Sequence, residues 1–323
     1  MGVISFINKY FLGVGIPFLL MGAGLFYCVR LKFFHFLHPL KVIKSFKSEK
    51  RDGGVSSLKA MMLALAGTLG VGNMVGVASA IALGGFGAVF WMWVSALIAM
   101  ILKYAEIVLA MLYRKYDESG RPYGAATYYI RACFGGRLGI ALAGVFAFFC
   151  IINAFSVGSM IQVSAAANAM NGVFGLPQIA IGIIFALIVL VAMQRGRSGI
   201  LTLTEKLVPF MTGGFVLLSL AVIFTRPSDA LGALRSIFSD AFNIKSGLAG
   251  VTGFFLSGAL RYGTMRGILS NEAGCGTAPA AHSVSSCKIP AKQGAWGIFE
   301  VFADTIVACT LTALVVLTSD VAV

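Results

Sequence analysis

The sequence predicts an all-α polytopic membrane protein of about eight transmembrane helices, and three observations carry that prediction. Apolar residues fill 59% of the 323 positions and charged residues only 11%, a balance that soluble domains rarely show. Several apolar runs reach about 20 residues, the length a helix needs to cross roughly 30 Å of hydrocarbon, where backbone amides must be satisfied internally. Basic residues gather in alternate loops between those runs, as a multi-pass topology requires.

The expected spans lie near 10–31, 58–83, 87–113, 138–170, 176–194, 204–225, 246–270 and 295–318. The first is too long for a signal-peptide core and runs straight into basic residues, so it reads as a retained helix. The loop after it carries Lys32, Lys41, Lys44, Lys47, Lys50 and Arg51, the loop after the third Arg114, Lys115, Arg121, Arg131 and Arg137, and later loops Arg195, Arg197, Lys288 and Lys292. Opposite them stand little more than Lys9, Arg226, Arg235 and Lys245. The positive-inside rule then places the N-terminus outside the cell (inner) membrane, with the second helix entering from the cytoplasm. The aromatic and basic segment "LKFFHFLHPLKVIKSF" reads as a strip lying in the interface. A net charge of +13 is explained by this topology, without a nucleic-acid partner. The six cysteines are scattered and lack any CxxC pair, which reads as packing thiols with no metal centre or cofactor.

Two spans are interrupted in a way that points to function. "GTLGVGNMVG", residues 67–76, and "GLAGVTGFFLSG", residues 247–258, each place four glycines beside polar residues inside an apolar run. Interior glycine weakens a helix by about 1 kcal/mol relative to alanine. Close helix packing can also select glycine, but Thr68 and Asn73 share that depth, where polar groups need a cavity or a partner. Paired broken helices of opposite sense are how secondary transporters build a midplane site, with freed amides for a carboxylate and freed carbonyls for a cation. Charged residues within spans form a further group. Lys103 and Glu106 are spaced for a local helix pair, while Glu300 and Asp304 lie at i,i+4 and need a cation between them, for which Arg261 and Arg266 are the candidates. Glu272 reads as fixing an inner loop. The seven are expected to form a gating or structural network. Trp91 and Trp93 read as interfacial anchors.

The residues 67–114, beginning "GTLGVGNMVGVASAIALGGFGAVFWMWVSALIAM", resemble the signature region of the alanine or glycine:cation symporter family, also called sodium:alanine symporters. "TEKLVPFM" (204–211), "RGILSNEAGCGTAPAAH" (266–282) and "GAWGIFEVFADTIVACTLTALVVL" (294–317) resemble further family motifs in the same order. The resemblance implies a leucine-transporter-like inverted-repeat fold with one extra N-terminal helix. Residues 1–57 would hold the leading helix and interfacial segment, 58–225 the first five-helix repeat, and 226–323 the first two helices of an incomplete second repeat. It implies sodium-coupled symport of alanine or glycine, with Na⁺ as the coupling ion. Thr68, Gly70, Gly72, Asn73 and Gln162, with Gly250, Thr252, Gly253 and Phe254 of the second break, would enclose the amino acid. Backbone carbonyls of Ala66 and Leu69 would supply part of the Na⁺ shell, the rest coming from a C-terminal segment that is expected to be missing. Sodium affinity is accordingly expected to be weak, and a truncated, non-transporting chain is the alternative. An intramembrane enzyme built on Ser270, His282 and Asp304 is the remaining rival, with no HExxH or GxSxG element to support it.

Overall fold

The computed structural model describes residues 2, 11, 13–46, 54–242 and 258–319. Helix α1 (Ile16–Arg30) is followed by a turn in which Lys32 and Phe33 take left-handed φ of 52° and 50°. Two short helices, α2 (Phe34–Leu37) and α3 (Pro39–Ser45), then expose Phe36, Leu37, Leu40 and Ile43 while burying His35 and Val42. The second span is bent. Helix α4 (Ser57–Thr68) and helix α5 (Val77–Gly84) meet through a wide i→i+5 turn at Gly72–Gly76, and the two arms differ by 55°.

Helix α6 (Gly87–Tyr113) is the centre of the packing, with 67% of its apolar window buried. A hairpin of two two-residue strands, β1 (Lys115–Tyr116) and β2 (Pro122–Tyr123), leads to α7 (Ala126–Phe134) and α8 (Gly136–Phe155). A second wide turn, Ser156–Ile161, joins α8 to α9 (Gln162–Phe174). Then come α10 (Gln178–Gln194), α11 (Gly196–Thr225), α12 (Pro227–Ala241), α13 (Gly258–Asn271) and α14 (Ala278–Ser283). Helix α15 (Pro290–Val301) passes through a third wide segment, Phe302–Cys309, into α16 (Thr310–Thr318).

Helices α13 and α15 pack hardest on α6, for a steric reason. Gly263 and Gly267 of α13 and Gly297 of α15 lie so close to Ala88, Ser95 and Ile107 of α6 that an added Cβ at any of them would collide. In lipid, small residues at such interfaces let backbones approach and gain dispersion energy. By contrast, only 11% of the apolar windows of Gly136–Phe174 and Ser198–Thr225 is buried.

Among the described residues five helices are long and apolar enough to span a membrane, and the bent pair makes a sixth. Gln178–Gln194 is apolar but shorter, at 17 residues. Of the expected span 246–270 only Gly258–Asn271 is described. The chain is therefore an all-α, multi-pass membrane protein. Two expectations are corrected. The stretch after Arg226, read from sequence as an outer loop, is helix α12, which buries Ala230, Ala233, Ile237 and Ala241 at helical spacing. Its Ser, Asp and Arg residues dilute the apolar signal, because alanine suffices where the neighbour is so near. Trp91 and Trp93 do not reach out as anchors: their indole N–H groups donate to Ala241 O at 3.0 Å and Thr310 Oγ1 at 2.8 Å.

Candidate functional site

At the break, α4 ends on Thr68 because Leu69 turns extended, with ψ 106°. The backbone amides freed there are taken by side chains. Asn73 Oδ1 accepts from the Gly70 amide at 2.9 Å, and Gln162 Oε1, from α9, accepts from the Val71 amide at 3.0 Å. An orphaned amide in an apolar setting costs about 1–3 kcal/mol, so each bond has a strong reason to form. Gly70 makes the second one possible: a Cβ there would stand 2.7 Å from Gln162 Oε1. Thr68 is buried, and its Oγ1 has no hydrogen-bond partner among the described residues. Thr68, Gly70, Gly72, Asn73 and Gln162 thus all lie at or against one discontinuity. Gly250, Thr252, Gly253 and Phe254 lie outside the described residues.

Asn73 ties this break to two distant helices. Because Oδ1 is fixed on the Gly70 amide, Nδ2 must be the donor on the other side. It donates to Ser270 Oγ at 3.0 Å, to Asp304 O at 3.0 Å and to Asp304 Oδ1 at 2.8 Å. Ser270 Oγ and Thr305 Oγ1 in turn donate to Asp304 Oδ2, each at 2.9 Å. Asp304 is fully buried, and these donors replace water around its carboxylate. Wide i→i+5 turns often mark functional positions in helices. Here Asn73 and Asp304 each lie within one, and Gln162 follows directly on a third.

A second polar network lies beside the first. Lys103 Nζ pairs with Glu300 Oε1 at 3.0 Å, with both side chains at most 1% exposed, and donates to Asn271 O at 2.8 Å. Glu300 Oε2 meets His282 Nε2 at 3.0 Å, and His282 Nδ1 meets Gln293 Nε2 at 2.8 Å. Glu106 accepts from the amides of Gly274 and Gly276, each at 3.1 Å. Those glycines sit at φ 86° and 74°, where an L-residue is strained, and that conformation helps turn their amides toward one carboxylate. Thr277 Oγ1 donates to Glu272 Oε2 at 2.6 Å in the same loop.

These contacts revise the expected pairings. Lys103 bridges to Glu300 on another helix rather than to Glu106 on its own. Glu300 takes Lys103 and His282, and Asp304 takes amide and hydroxyl donors; neither uses Arg261 or Arg266 in these bonds. The Arg261 guanidinium lies 5.1 Å from the Tyr262 ring centre. The hydrolase constellation also separates, since Ser270 donates to Asp304 while His282 is held by Glu300 and Gln293. Ser270, Asn271 and Thr305 were not expected in the cluster around Asn73. Their signal was weak because single hydroxyl and amide residues inside or at the end of an apolar helix also bond to their own backbone.

On the opposite side of the break a cavity of about 250 Å³ opens between α4 and α11. Ala66, Leu69, Gly70 and Asn73 line one wall, and Thr204 and Thr212 contribute hydroxyls from the other. The two residues expected to offer carbonyls to a cation therefore border one space.

Comparison with known proteins points to one family. The model of the sodium:alanine symporter family matches residues 1–323. The sodium/alanine symporter AgcS of Methanococcus maripaludis is 36% identical over 319 residues, which is 97% of this chain and 69% of that protein. The amino-acid carrier protein AlsT of Bacillus subtilis is 35% identical over 317 residues, 97% of this chain and 65% of AlsT. The probable sodium/glutamine symporter GlnT of Bacillus subtilis is 32% identical over 305 residues, 94% of this chain and 62% of GlnT.

Proposed function

The chain belongs to the sodium:alanine symporter family, a family of transporters rather than enzymes, and from that premise we propose that it couples Na⁺ entry to uptake of a small neutral amino acid, alanine or glycine. The single observation that carries the proposal is the broken second span, whose Gly70 and Val71 amides are capped by Asn73 and by Gln162 from another helix. A capped amide pair of this kind is a carboxylate site whose place is held by side-chain oxygens. When the amino acid binds, its carboxylate replaces Gln162 Oε1 on the Val71 amide, and the released Oε1 accepts from the ammonium group. The unpartnered Thr68 hydroxyl provides a second acceptor. Gly72, and Gly250, Thr252, Gly253 and Phe254 of the second break, complete the enclosure. Glycine backbone near the substrate leaves room for a methyl group but little more.

Carbonyls of Ala66 and Leu69 supply part of the Na⁺ shell, since a hard cation takes oxygen ligands. Alternating access follows if the two arms at the 55° bend move relative to a body held by the Lys103–Glu300 pair and the loop cradled on Glu106. The leucine-transporter-like inverted repeat, the division at 57 and 225, and the N-out orientation in the inner membrane belong to the same reading. The test is uptake of labelled alanine into proteoliposomes containing the full chain. A sodium gradient should drive accumulation, and excess glycine should compete. Uptake indifferent to sodium, or competed by glutamine but not by glycine, would overturn the coupling or the substrate assignment respectively.

A further inference from the structure

A second cavity lies far from the broken helix, at the end of α6. It measures about 700 Å³ and is formed by Tyr113, the β-hairpin, α7 and the first turns of α8. Lys115, Thr127, Tyr128 and Arg131 line its mouth, and Ile140 and Ala143 continue it along α8. No carboxylate lines it. Lys115 Nζ stands 5.7 Å from the Tyr128 ring centre, and neither Lys115 nor Arg131 has an acidic partner among the described residues. The nearby carboxylate of Asp117 is held by Arg121 at 3.0 Å, and the hydrogen bonds and charge of that arginine keep it below the usual carboxylate range.

The depth of this cavity follows from helix length. At about 1.5 Å per residue, the 27 residues of Gly87–Tyr113 are about 40 Å long, so the helix outruns a hydrocarbon core of roughly 30 Å. Because Arg114 and Lys115 follow directly on Tyr113, that end is the one assigned to headgroup depth. Helix α8 starts at that level and runs back into the bilayer with Leu138, Ile140, Phe148 and Ile152 exposed. Two unpaired cations and a hydroxyl at headgroup depth, continued by an apolar wall into the acyl region, match one molecule: a lipid whose headgroup is a phosphodiester anion. A soluble anion would use the cations but leave the apolar wall without purpose. We propose that this pocket binds one anionic phospholipid, with the phosphate between Lys115 and Arg131 and an acyl chain along α8. The site is independent of the transport reading and holds whatever the substrate.

The test is native mass spectrometry of the full chain, delipidated in detergent and titrated with phosphatidylglycerol or phosphatidylcholine. One phosphatidylglycerol should bind with a preference of about tenfold over phosphatidylcholine. The variant Lys115→Gln/Arg131→Gln should lose that preference, whereas Lys41→Gln/Lys44→Gln, which removes equal charge elsewhere, should keep it. Equal losses in both variants, or no loss in either, would overturn the site. Displacement of the lipid by millimolar inorganic phosphate would reassign the pocket to a soluble anion and overturn the lipid. For the unaltered chain, photoactivatable phosphatidylglycerol should label peptides within 113–143. Labelling confined to other segments would refute the proposal without any variant having to fold.

Discussion

Gly70→Ala is the sharpest probe of the broken helix. Gly70 is not among the glycines with positive φ, so the backbone admits alanine and the perturbation is steric. The new Cβ would stand 2.7 Å from Gln162 Oε1, 3.3 Å from Cδ and 3.4 Å from Nε2. Those atoms end a flexible side chain, so Gln162 withdraws and the Val71 amide loses its 3.0 Å bond. A fully buried orphan amide costs about 1–3 kcal/mol; Val71 is only half-buried, so about 1–2 kcal/mol is the fitting range. Because the bound carboxylate takes over the Val71 amide, that cost falls on the empty state; the Gln162–ammonium hydrogen bond is worth about 1.5–3 kcal/mol, so its loss outweighs the relieved cost and weakens binding by about 2- to 5-fold. The assay is the concentration dependence of sodium-driven alanine uptake in proteoliposomes, with Gly182→Ala on α10, outside the site, as comparator. A Cβ at Gly182 meets nothing within 4 Å, so KM there should change by no more than about twofold. An unchanged KM in Gly70→Ala would show that the Gln162 contact has no part in the site.

The remaining predictions address the buried networks. Lys103→Met leaves the buried Glu300 carboxylate without its lysine and with His282 as its remaining partner, and should destabilise the chain by about 3 kcal/mol, whereas Lys103→Met/Glu300→Leu should recover much of that loss; thermal unfolding in detergent micelles reads both. Asn73→Ala removes the donor to Asp304 and the acceptor for the Gly70 amide, at about 1–3 kcal/mol for each group left unsatisfied. Asn73→Asp should be worse, because it sets a second carboxylate where Nδ2 now lies 2.8 Å from Asp304 Oδ1; denaturant midpoints of the two variants decide the order. Gly87→Ala would press a Cβ to 2.5 Å from the Ala241 backbone, an overpacking expected to cost about 1–3 kcal/mol, and its effect should appear as accelerated proteolysis near α12.

How much was legible in the sequence varies with the element. The long apolar runs announced their helices because a bilayer imposes one length and one polarity on any span. The glycine run at 67–76 announced a discontinuity at the place where α4 ends. Helix α12 was not legible, since alanine and serine at a close-packed face look like a solvated turn. The buried lysine was legible as important but not in its partner. Lys103 and Glu106 are near neighbours in sequence, yet the rotation of α6 aims Lys103 at Glu300 and Glu106 at the amides of Gly274 and Gly276.

The sequence by itself determined the class, an all-α multi-pass membrane protein, together with the family and the break in the second span. These are one-dimensional properties: apolar length, local glycine content and motif order. Only the tertiary structure decided that Asn73 meets Ser270 and Asp304, 197 and 231 residues away, and that Gln162 closes over the Val71 amide from 91 residues off. Hydropathy says that a polar side chain inside lipid must find a partner. Which partner it finds depends on how neighbouring helices are rotated and how closely their small residues let them approach, and that is settled in three dimensions.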